Sequence, residues 1–273
     1  VGGNNNLIPL SQPYDGISVD ANTQISQLNW DNMNSGVWAS NKVVDWVVVE
    51  LRDSFNPEQV LVSKAGLLRQ DGYVYSYDGS TPILNSLNYA GNDLYYIAIK
   101  HRNHLGIMTQ NPVQFPANID MTTTQLYDMT DSTSPAKNIN GINVMWPGDA
   151  NANGIISYSG SNNDRDSILT VVGNGTPNNV INNVYSREDI NMDRKVKYTG
   201  SSNDRDLILQ NVGSTNPNNT LVQQLPGTIP LPVSIHCPGT PVVFYRSVDK
   251  VKLNWPACTG TGEINYSITR TVN

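Results

Sequence analysis

Short apolar and alternating stretches fill the first 130 residues and predict β-strands. In VVDWVVVELRD (43–53) the apolar residues fall on both faces, Val44, Trp46 and Val48 on one and Val47, Val49 and Leu51 on the other. This predicts a central strand that is buried on both sides. QVLVSKAGLLRQDGYVYSYDG (59–79) predicts two strands around a turn at Asp71-Gly72. NDLYYIAIKHRNHLGIMT (92–109) predicts a strand that turns at Asn103 or Gly106.

The pattern divides the chain into several modules and predicts a mainly β, multidomain fold. Strands at this spacing predict a β-sandwich over 1–130. A polar linker is expected at 131–144, a repeat region at 145–225 and a proline-rich linker at 226–232. Three strands in 233–273 predict an incomplete immunoglobulin-like or fibronectin III-like module, because such a domain needs about 100 residues. We therefore expect the natural chain to continue beyond residue 273; the alternative is that a partner supplies the missing strands.

The central stretch is written twice. DANANGIISYSGSNNDRDSIL begins at Asp149 and DINMDRKVKYTGSSNDRDLIL begins at Asp189, and matching residues recur 40 positions apart. A regular repeat indicates one supersecondary unit used twice. In each copy the residues after the double Asp have helical spacing, so a short helix is predicted that ends at Gly173 or Gly213. Ser161, Asn162 or Asn163 is available as the N-cap of the first helix.

Each copy begins with oxygen-bearing side chains at alternating positions, which is the pattern of an EF-hand-type calcium loop. Such a loop supplies side-chain oxygens at positions 1, 3 and 5 and a backbone carbonyl at position 7. The predicted ligands are Asp149, Asn151, Asn153 and the carbonyl of Ile155 in the first copy, and Asp189, Asn191, Asp193 and the carbonyl of Lys195 in the second. Two calcium sites are therefore expected. Arg194 replaces Gly154 at the sharp turn, at a cost of roughly 1–2 kcal/mol if that residue is left-handed.

The closing acid of the standard loop is displaced in both copies. Position 12 holds Gly160 or Gly200, and the acids follow later as the pairs Asp164/Asp166 and Asp204/Asp206. An insertion that lengthens the loop explains this spacing, and either Asp of each pair could close it. The remaining Asp would be favoured by the helix dipole. The alternative is a loop rich in Asx turns that binds no metal.

Composition narrows the classes of partner and compartment. The net charge is −6 and charged residues make up 15% of the chain, which argues against nucleic acid or an anionic membrane as partner. No apolar run is long enough to span a membrane. The chain begins VGGNNN without a Met or an export signal, so it is expected to be a mature or excised piece. Cys237 and Cys258 predict a disulfide, with two free thiols as the alternative.

Other clusters of candidate residues favour structural roles. His101 and His104 lie three apart on a predicted strand, so they are expected to face opposite sides and not to share a metal. Trp30, Trp38 and Trp46 could form a carbohydrate-stacking platform, although core packing is favoured for Trp46. A Cys-His nucleophile at His236 and Cys237 lacks an orienting third group. Motifs of metalloproteases, serine hydrolases and phosphate-binding loops are absent, so no enzyme is expected.

Two calcium loops, each followed by a helix, resemble a dockerin domain. The extended form GDANANG…YSGSNNDRDSIL is similar to C-terminal regions of large exported proteins of Bacteroidota, in which a β domain precedes it. LIPLSQPY, VVDWVVVELRD and IAIKHRNHLGIMT resemble that β domain. The resemblance implies calcium binding and a secreted or cell-surface location.

The function expected from these observations is a non-catalytic, calcium-stabilised module of an exported surface, adhesin-like or filament-forming protein. Its partners would be other domains of the same polypeptide or copies of itself. The alternative is a binding module, which docks a surface protein or a glycan for a catalytic domain elsewhere.

Overall fold

A computed structural model describes residue 8 and residues 13–14, 43–79, 81–87, 93–129 and 133–227, together with three strands within 244–269. Residue contacts divide the chain into two compact units, 1–230 and 231–273. The described elements are mostly strands in antiparallel sheets, with two α-helices. The mainly β prediction is therefore confirmed.

The first unit contains a six-stranded antiparallel sheet. Its strands are β1 (Val43–Asp53), β2 (Val60–Arg69), β3 (Val74–Tyr75), β4 (Leu94–His101), β5 (His104–Met108) and β6 (Val113–Gln114). The order is β3-β2-β1-β4-β5, and β6 also pairs with β4. A 3₁₀-helix (Ile83–Ser86) covers part of one face. A second sheet of the predicted sandwich stays a prediction.

Strand β1 lies in the middle of this sheet, as its apolar pattern predicts. Val49 and Leu51 pack into a core on one face with Tyr95, Ile97 and Phe115. Trp46, which is 0% exposed, packs in a separate cluster with neighbouring apolar residues of β1 and β2. Burial on both faces and the core role of Trp46 are thus confirmed. Val44 is the exception, at 36% exposure, where the register between β1 and β2 shifts. Trp30 and Trp38 lie outside the described residues.

The hairpin turns follow the local turn chemistry. Strands β2 and β3 are joined by a turn at Asp71-Gly72, with Gly72 at φ 84°, so the predicted dipeptide is confirmed. The β4–β5 turn lies at Arg102-Asn103, which selects Asn103 from the two predicted positions. Gly106 instead lies within β5, where an added Cβ would meet a side-chain atom of Leu225 at 2.5 Å.

The range predicted as a linker, 131–144, carries a small hairpin. Strands β7 (Lys137–Ile139) and β8 (Ile142–Val144) pair antiparallel. Asn140 and Gly141 at its turn have φ of 53° and 86°, which is the combination that a type I′ turn requires. The domain boundaries predicted within residues 1–230 stay predictions.

The repeat region folds as two interlocked copies. It comprises β9 (Ile155–Ser157), α1 (Asp164–Val172), β10 (Val180–Asn182), β11 (Lys195–Lys197), α2 (Asp204–Val212) and β12 (Thr220–Val222). Strand β9 of the first copy pairs with β12 at the end of the second, and β10 pairs with β11. Ile156 and Val196, both 0% exposed, anchor the shared core with apolar residues of both helices.

The segment after β12 returns to the large sheet. Leu225 is 0% exposed and packs against Ala98 and Met108. The buried Arg52 guanidinium donates to the carbonyl of Pro226 at 2.7 Å. The sheet and the repeats are therefore joined by both apolar and polar buried contacts.

The second unit, 231–273, contains a three-stranded antiparallel sheet. Its strands are β13 (Phe244–Ser247), β14 (Lys250–Pro256) and β15 (Glu263–Thr269), in that order. The three predicted strands are confirmed, whereas the immunoglobulin-like assignment stays a prediction. Cys237, Cys258 and His236 lie outside the described residues. Within the part of the chain that the structure describes, no helix has the length and hydrophobicity needed to cross a bilayer.

Candidate calcium centres

The two loops lead into helices with matching caps. The Asn163 side chain accepts a hydrogen bond from the Asp166 amide at 3.0 Å, and Asn203 accepts one from Asp206 at 2.9 Å. These bonds satisfy amides that a helix N-terminus leaves without an intrahelical partner. The predicted helices are confirmed, and Asn163 is the N-cap among the three candidates. Gly173 follows the first helix at φ 99°.

The first predicted ligand of each loop is buried and bound by the backbone of its own loop. The Asp149 carboxylate accepts from the amides of Asn153 at 2.9 Å and Gly154 at 3.1 Å. Asp189 accepts in the same way from residues 193 and 194, at 3.0 and 2.9 Å. An ionised carboxylate offers about four lone-pair positions. Two such bonds therefore leave acceptor capacity for a cation.

The side chains at loop positions 3 and 5 also bind backbone amides of their own loop. Asn151 Oδ1 accepts from the Asn153 amide at 3.0 Å, and Asn153 Oδ1 accepts from the Ile155 amide at 2.8 Å. Asn191 and Asp193 make the same contacts in the second copy, at 2.9 and 3.0 Å. The loop curvature predicted from alternating polar residues is confirmed. These bonds are Asx turns, so they fit a metal loop and a metal-free loop equally well.

The carbonyl of Ile155 is directed away from the strand that pairs with β9. The Gly154 carbonyl accepts from the Gln223 amide at 2.9 Å, so these residues occupy a hydrogen-bonding position of the ladder, although the Gly154 amide donates to Asp149 instead. Hydrogen-bonded and non-hydrogen-bonded pairs alternate along an antiparallel ladder. The next pair, Ile155 and Val222, is therefore a non-hydrogen-bonded pair. The Ile155 carbonyl is therefore not used by β12 and lies on the loop side.

The structure distinguishes the two candidates for the closing acid of the first loop. Asp164 is 0% exposed, and its carboxylate accepts from the amides of Ser157 at 2.8 Å and Asn151 at 3.3 Å. Asp166 has a side chain 57% exposed, and it accepts from Asn163 Nδ2 at 2.8 Å. Asp164 thus faces the loop, whereas Asp166 lies at the helix N-terminus.

The second copy repeats this division. Asp204 is 0% exposed and accepts from the amides of Ile190 at 2.7 Å and Lys197 at 2.8 Å. Asp206 has a side chain 48% exposed and pairs with Arg205 at 3.2 Å. Geometry therefore brings Asp149 together with Asp164, and Asp189 together with Asp204. Metal ligation by these residues stays a prediction.

Each loop buries two carboxylates without a close cation. Burial, with a further contribution from the charge of Asp149, raises the pKa of Asp164 to about 7. Burial likewise raises the pKa of Asp149, Asp189 and Asp204, each to about 6. No Lys, Arg or His nitrogen of the described residues lies within 4.0 Å of any of these four groups. A hard cation with oxygen ligands would compensate this charge.

The donor set is short of carboxylates. Among the described residues, no group of three or more His, Cys, Asp or Glu side chains is arranged to hold a metal ion. Asp193 is exposed, and its Oδ1 accepts from the Lys195 amide. The first loop offers two buried acids, the amide oxygens of two Asn residues and a backbone carbonyl; the second offers two buried acids, the exposed Asp193, one Asn and a backbone carbonyl. Calcium accepts such oxygen ligands.

The sharp turns of both loops are left-handed. Gly154 has φ 76° and Arg194 has φ 70°, so the strain predicted for Arg194 applies. Ala152 and Met192, which correspond to each other, have φ of 55° and 58°. The copies therefore share their backbone course despite different residues at the turn.

The prediction that His101 and His104 face opposite sides is wrong. They lie opposite each other in the β4–β5 hairpin, with Nδ1 atoms 2.8 Å apart and ring centroids 4.6 Å apart. Directly opposed residues of a hairpin share a face, whereas the prediction assumed one continuous strand. His101 Nε2 also lies 3.1 Å from the buried carboxylate of Asp45.

The contact between the β4–β5 hairpin turn and the repeats was not predicted from the sequence. Asn103, which is 0% exposed, contacts both loops. The only signal was its place at a predicted turn, which says nothing about a distant partner.

No protein-family model, curated protein or solved structure matches this chain.

Proposed function

We propose that this chain is a non-catalytic, calcium-stabilised structural or adhesive module of an exported bacterial surface or fibre-forming protein. The observation that carries the proposal is the pair of buried carboxylates in each loop, Asp149 with Asp164 and Asp189 with Asp204. Among the residues that the structure describes, no Lys, Arg or His nitrogen lies within 4.0 Å of them. Buried charge is unfavourable unless it is paired or coordinates a metal. The arrangement occurs twice, which supports a common purpose.

Calcium would be held by oxygens of each loop. The residues that would hold it in the first loop are Asp149, Asn151, Asn153, Asp164 and the carbonyl of Ile155; those in the second are Asp189, Asn191, Asp193, Asp204 and the carbonyl of Lys195. Bound calcium would neutralise the buried carboxylates and favour the folded repeats. The repeats pack against the large sheet through Leu225. A stably folded repeat region would therefore also hold the segment that returns to the sheet in place.

Location and architecture follow from the same proposal. Loops with few carboxylates suit calcium-rich external fluid, with affinities on the order of 10⁻⁴–10⁻³ M. The whole would comprise an N-terminal β-sandwich, a dockerin-like calcium module and an immunoglobulin-like module. Its partners would be neighbouring domains of the same polypeptide or other copies of it.

Thermal unfolding with calcium and with a chelator tests the calcium proposal. At a calcium concentration 100 times Kd, each site adds about 2.7 kcal/mol to the free energy of unfolding. Magnesium at the same concentration controls for ionic strength. Identical melting temperatures in calcium and in chelator would overturn the proposal. Size-exclusion chromatography and electron microscopy then show whether the chain self-assembles.

One surface feature favours the alternative of a glycan-binding module. An open groove in the first unit is lined by side-chain amides and hydroxyls, including Gln110, Thr124, Gln125, Asn138 and Asn143. Such groups can hydrogen-bond sugar hydroxyls. Binding on a glycan array that is lost in Gln125→Ala would favour this alternative over the structural role.

A further inference from the structure

The hairpin turn between β4 and β5 inserts into the repeats. Asn103 at the turn is 0% exposed, and Leu105, the second residue of β5, is 1% exposed within the apolar core of the repeats. Arg102 donates to the carbonyl of Ser186 and to the Asp45 carboxylate at 3.0 Å. The turn is therefore fixed to the sheet on one side and to the repeats on the other.

Asn103 contacts the start of both candidate calcium loops. Its backbone carbonyl accepts from the amides of Gly148 at 2.9 Å and Asp149 at 3.2 Å. Its side-chain Nδ2 donates to the carbonyls of Asp189 at 2.8 Å and Arg187 at 2.9 Å. Asp149 and Asp189 are the first predicted ligands of the two loops. One buried residue thus orients the backbone of both.

The Asn103 side chain is itself held in place. Its Oδ1 lies 2.8 Å from His104 Nδ1, and His104 contacts His101, which contacts Asp45. The two carbonyls fix the orientation of the amide, because only Nδ2 can donate to them, and Oδ1 then faces the His104 ring. A buried carbonyl that loses such a donor has no water to replace it.

We propose that Asn103 is a positioning residue for both calcium loops, acting on the first through its backbone and on the second through its side chain. This inference rests on the proposed calcium function. It predicts an asymmetry, because a substitution removes the side chain but keeps the backbone carbonyl. Asn103→Ala should therefore weaken calcium binding at the second loop and leave the first loop unaffected.

Single-loop backgrounds allow each site to be measured by itself. Asp164→Asn disables the first loop and Asp204→Asn disables the second, and calcium affinity is measured by calorimetry with and without Asn103→Ala. Loss of a group that orients a metal ligand typically lowers affinity about 10- to 100-fold, and this fall is expected only for the second loop. A general loss of stability would lower both affinities.

A matched control, Thr109, follows the other end of β5 (His104–Met108). Thr109 is 1% exposed, and its Oγ1 accepts from the Ile97 amide at 3.2 Å. Thr109→Val removes a buried polar atom at similar volume, so it should change neither affinity. Asn103→Asp keeps the side-chain size and Oδ1, but an ionised carboxylate can donate to neither carbonyl. Its negative charge would by itself favour calcium, so a fall in second-loop affinity would reflect the lost contacts with the two carbonyls.

The possible outcomes separate the two proposals. A wild-type protein that binds no calcium overturns the proposed function itself. A wild-type protein that binds two calcium ions, combined with unchanged or equally reduced affinities in Asn103→Ala and Asn103→Asp, overturns the role of Asn103. If Asn103→Ala does not fold, as judged by circular dichroism, Asn103→Asp alone decides.

Discussion

Replacing Asp164 by Asn is the most direct test of the candidate calcium centres. The substitution keeps the shape of a fully buried side chain and removes its charge. Asp166, two residues later, has a side chain 57% exposed and serves as the matched control. We expect Asp164→Asn to stabilise the chelated protein and to remove about half of the stabilisation by calcium.

The effect on the chelated protein follows from the buried charge. The rise in the pKa of Asp164 from 3.8 to about 7 corresponds to about 4 kcal/mol of preference for the neutral form. Asn is neutral but has one acceptor oxygen, whereas the carboxylate binds the amides of Ser157 and Asn151. One amide would lose its partner, at about 1–3 kcal/mol. At pH 8 the chelated variant should therefore be more stable than the wild type by about 1–3 kcal/mol.

In calcium the substitution has the opposite effect, because it removes the stabilisation that the first site would provide. Two sites at 100 times Kd contribute about 5 kcal/mol, and the variant keeps only the second site at about 2.7 kcal/mol. For a unit of this size, 1 kcal/mol changes the melting temperature by about 2–4 °C. The difference between calcium and chelator should therefore fall from about 10–20 °C in the wild type to about 5–11 °C in Asp164→Asn.

Differential scanning calorimetry in 10 mM calcium or chelator, on the order of 100 times a Kd of 10⁻⁴ M, measures both effects. Asp166→Asn should show the full difference between calcium and chelator, and the double variant Asp164→Asn/Asp204→Asn should show none. The reasoning is refuted if Asp164→Asn retains the wild-type difference. It is also refuted if Asp166→Asn loses half of it, because the exposed Asp would then be the closing ligand.

Four further predictions follow from single features of the structure. In chelator, the free energy of unfolding measured by denaturant titration should decline as pH rises from 5 to 8. The reason is that the loop carboxylates have folded-state pKa values of about 6 to 7, above the value of about 4 in unfolded chains. Calcium should remove this decline. Asp45 has the opposite sign: burial raises its pKa, but the His101 hydrogen bond and nearby positive charges lower it to about 2, so its stabilisation is lost only below pH about 4. Arg194→Gly should stabilise the protein by about 1 kcal/mol in urea titrations, because φ at this position is 70°; a destabilised variant would contradict this. Trp46→Ala should cost about 3–5 kcal/mol, because the side chain is 0% exposed; Phe55→Ala, at 96% exposure, should change stability by less than about 0.5 kcal/mol.

Local patterns predicted the elements that local chemistry determines. The apolar residues on both faces of 43–53 indicated the central strand, and Asp71-Gly72 indicated the hairpin. Alternating oxygens from Asp149 onward predicted the curled loop, since each side chain binds an amide two to five residues away. Such contacts depend on spacing along the chain, which a sequence displays directly.

Contacts between distant segments were beyond those patterns. The choice between Asp164 and Asp166 depends on which one faces amides of a loop that begins 15 residues earlier. The pairing of His101 with His104 depends on where the chain reverses. The role of Asn103 depends on the docking of two loops that begin 46 and 86 residues later in the chain. Each of these contacts depends on the tertiary structure and cannot be inferred from the residue types alone.

The segments 158–161 and 198–201, which precede the Asp pairs and which we interpret as insertions, connect the two copies. Ser159 Oγ donates to the carbonyl of Pro217 at 2.9 Å, and Thr199 Oγ1 donates to the carbonyl of Pro177 at 3.2 Å. Each segment thus contacts the return segment of the other copy, which continues into the strand that pairs with the contacting segment's own loop. A single copy would leave its loop strand unpaired and expose a core residue such as Ile156. The duplication is therefore the folding unit, and a cation in one loop would stabilise strands contributed by both copies.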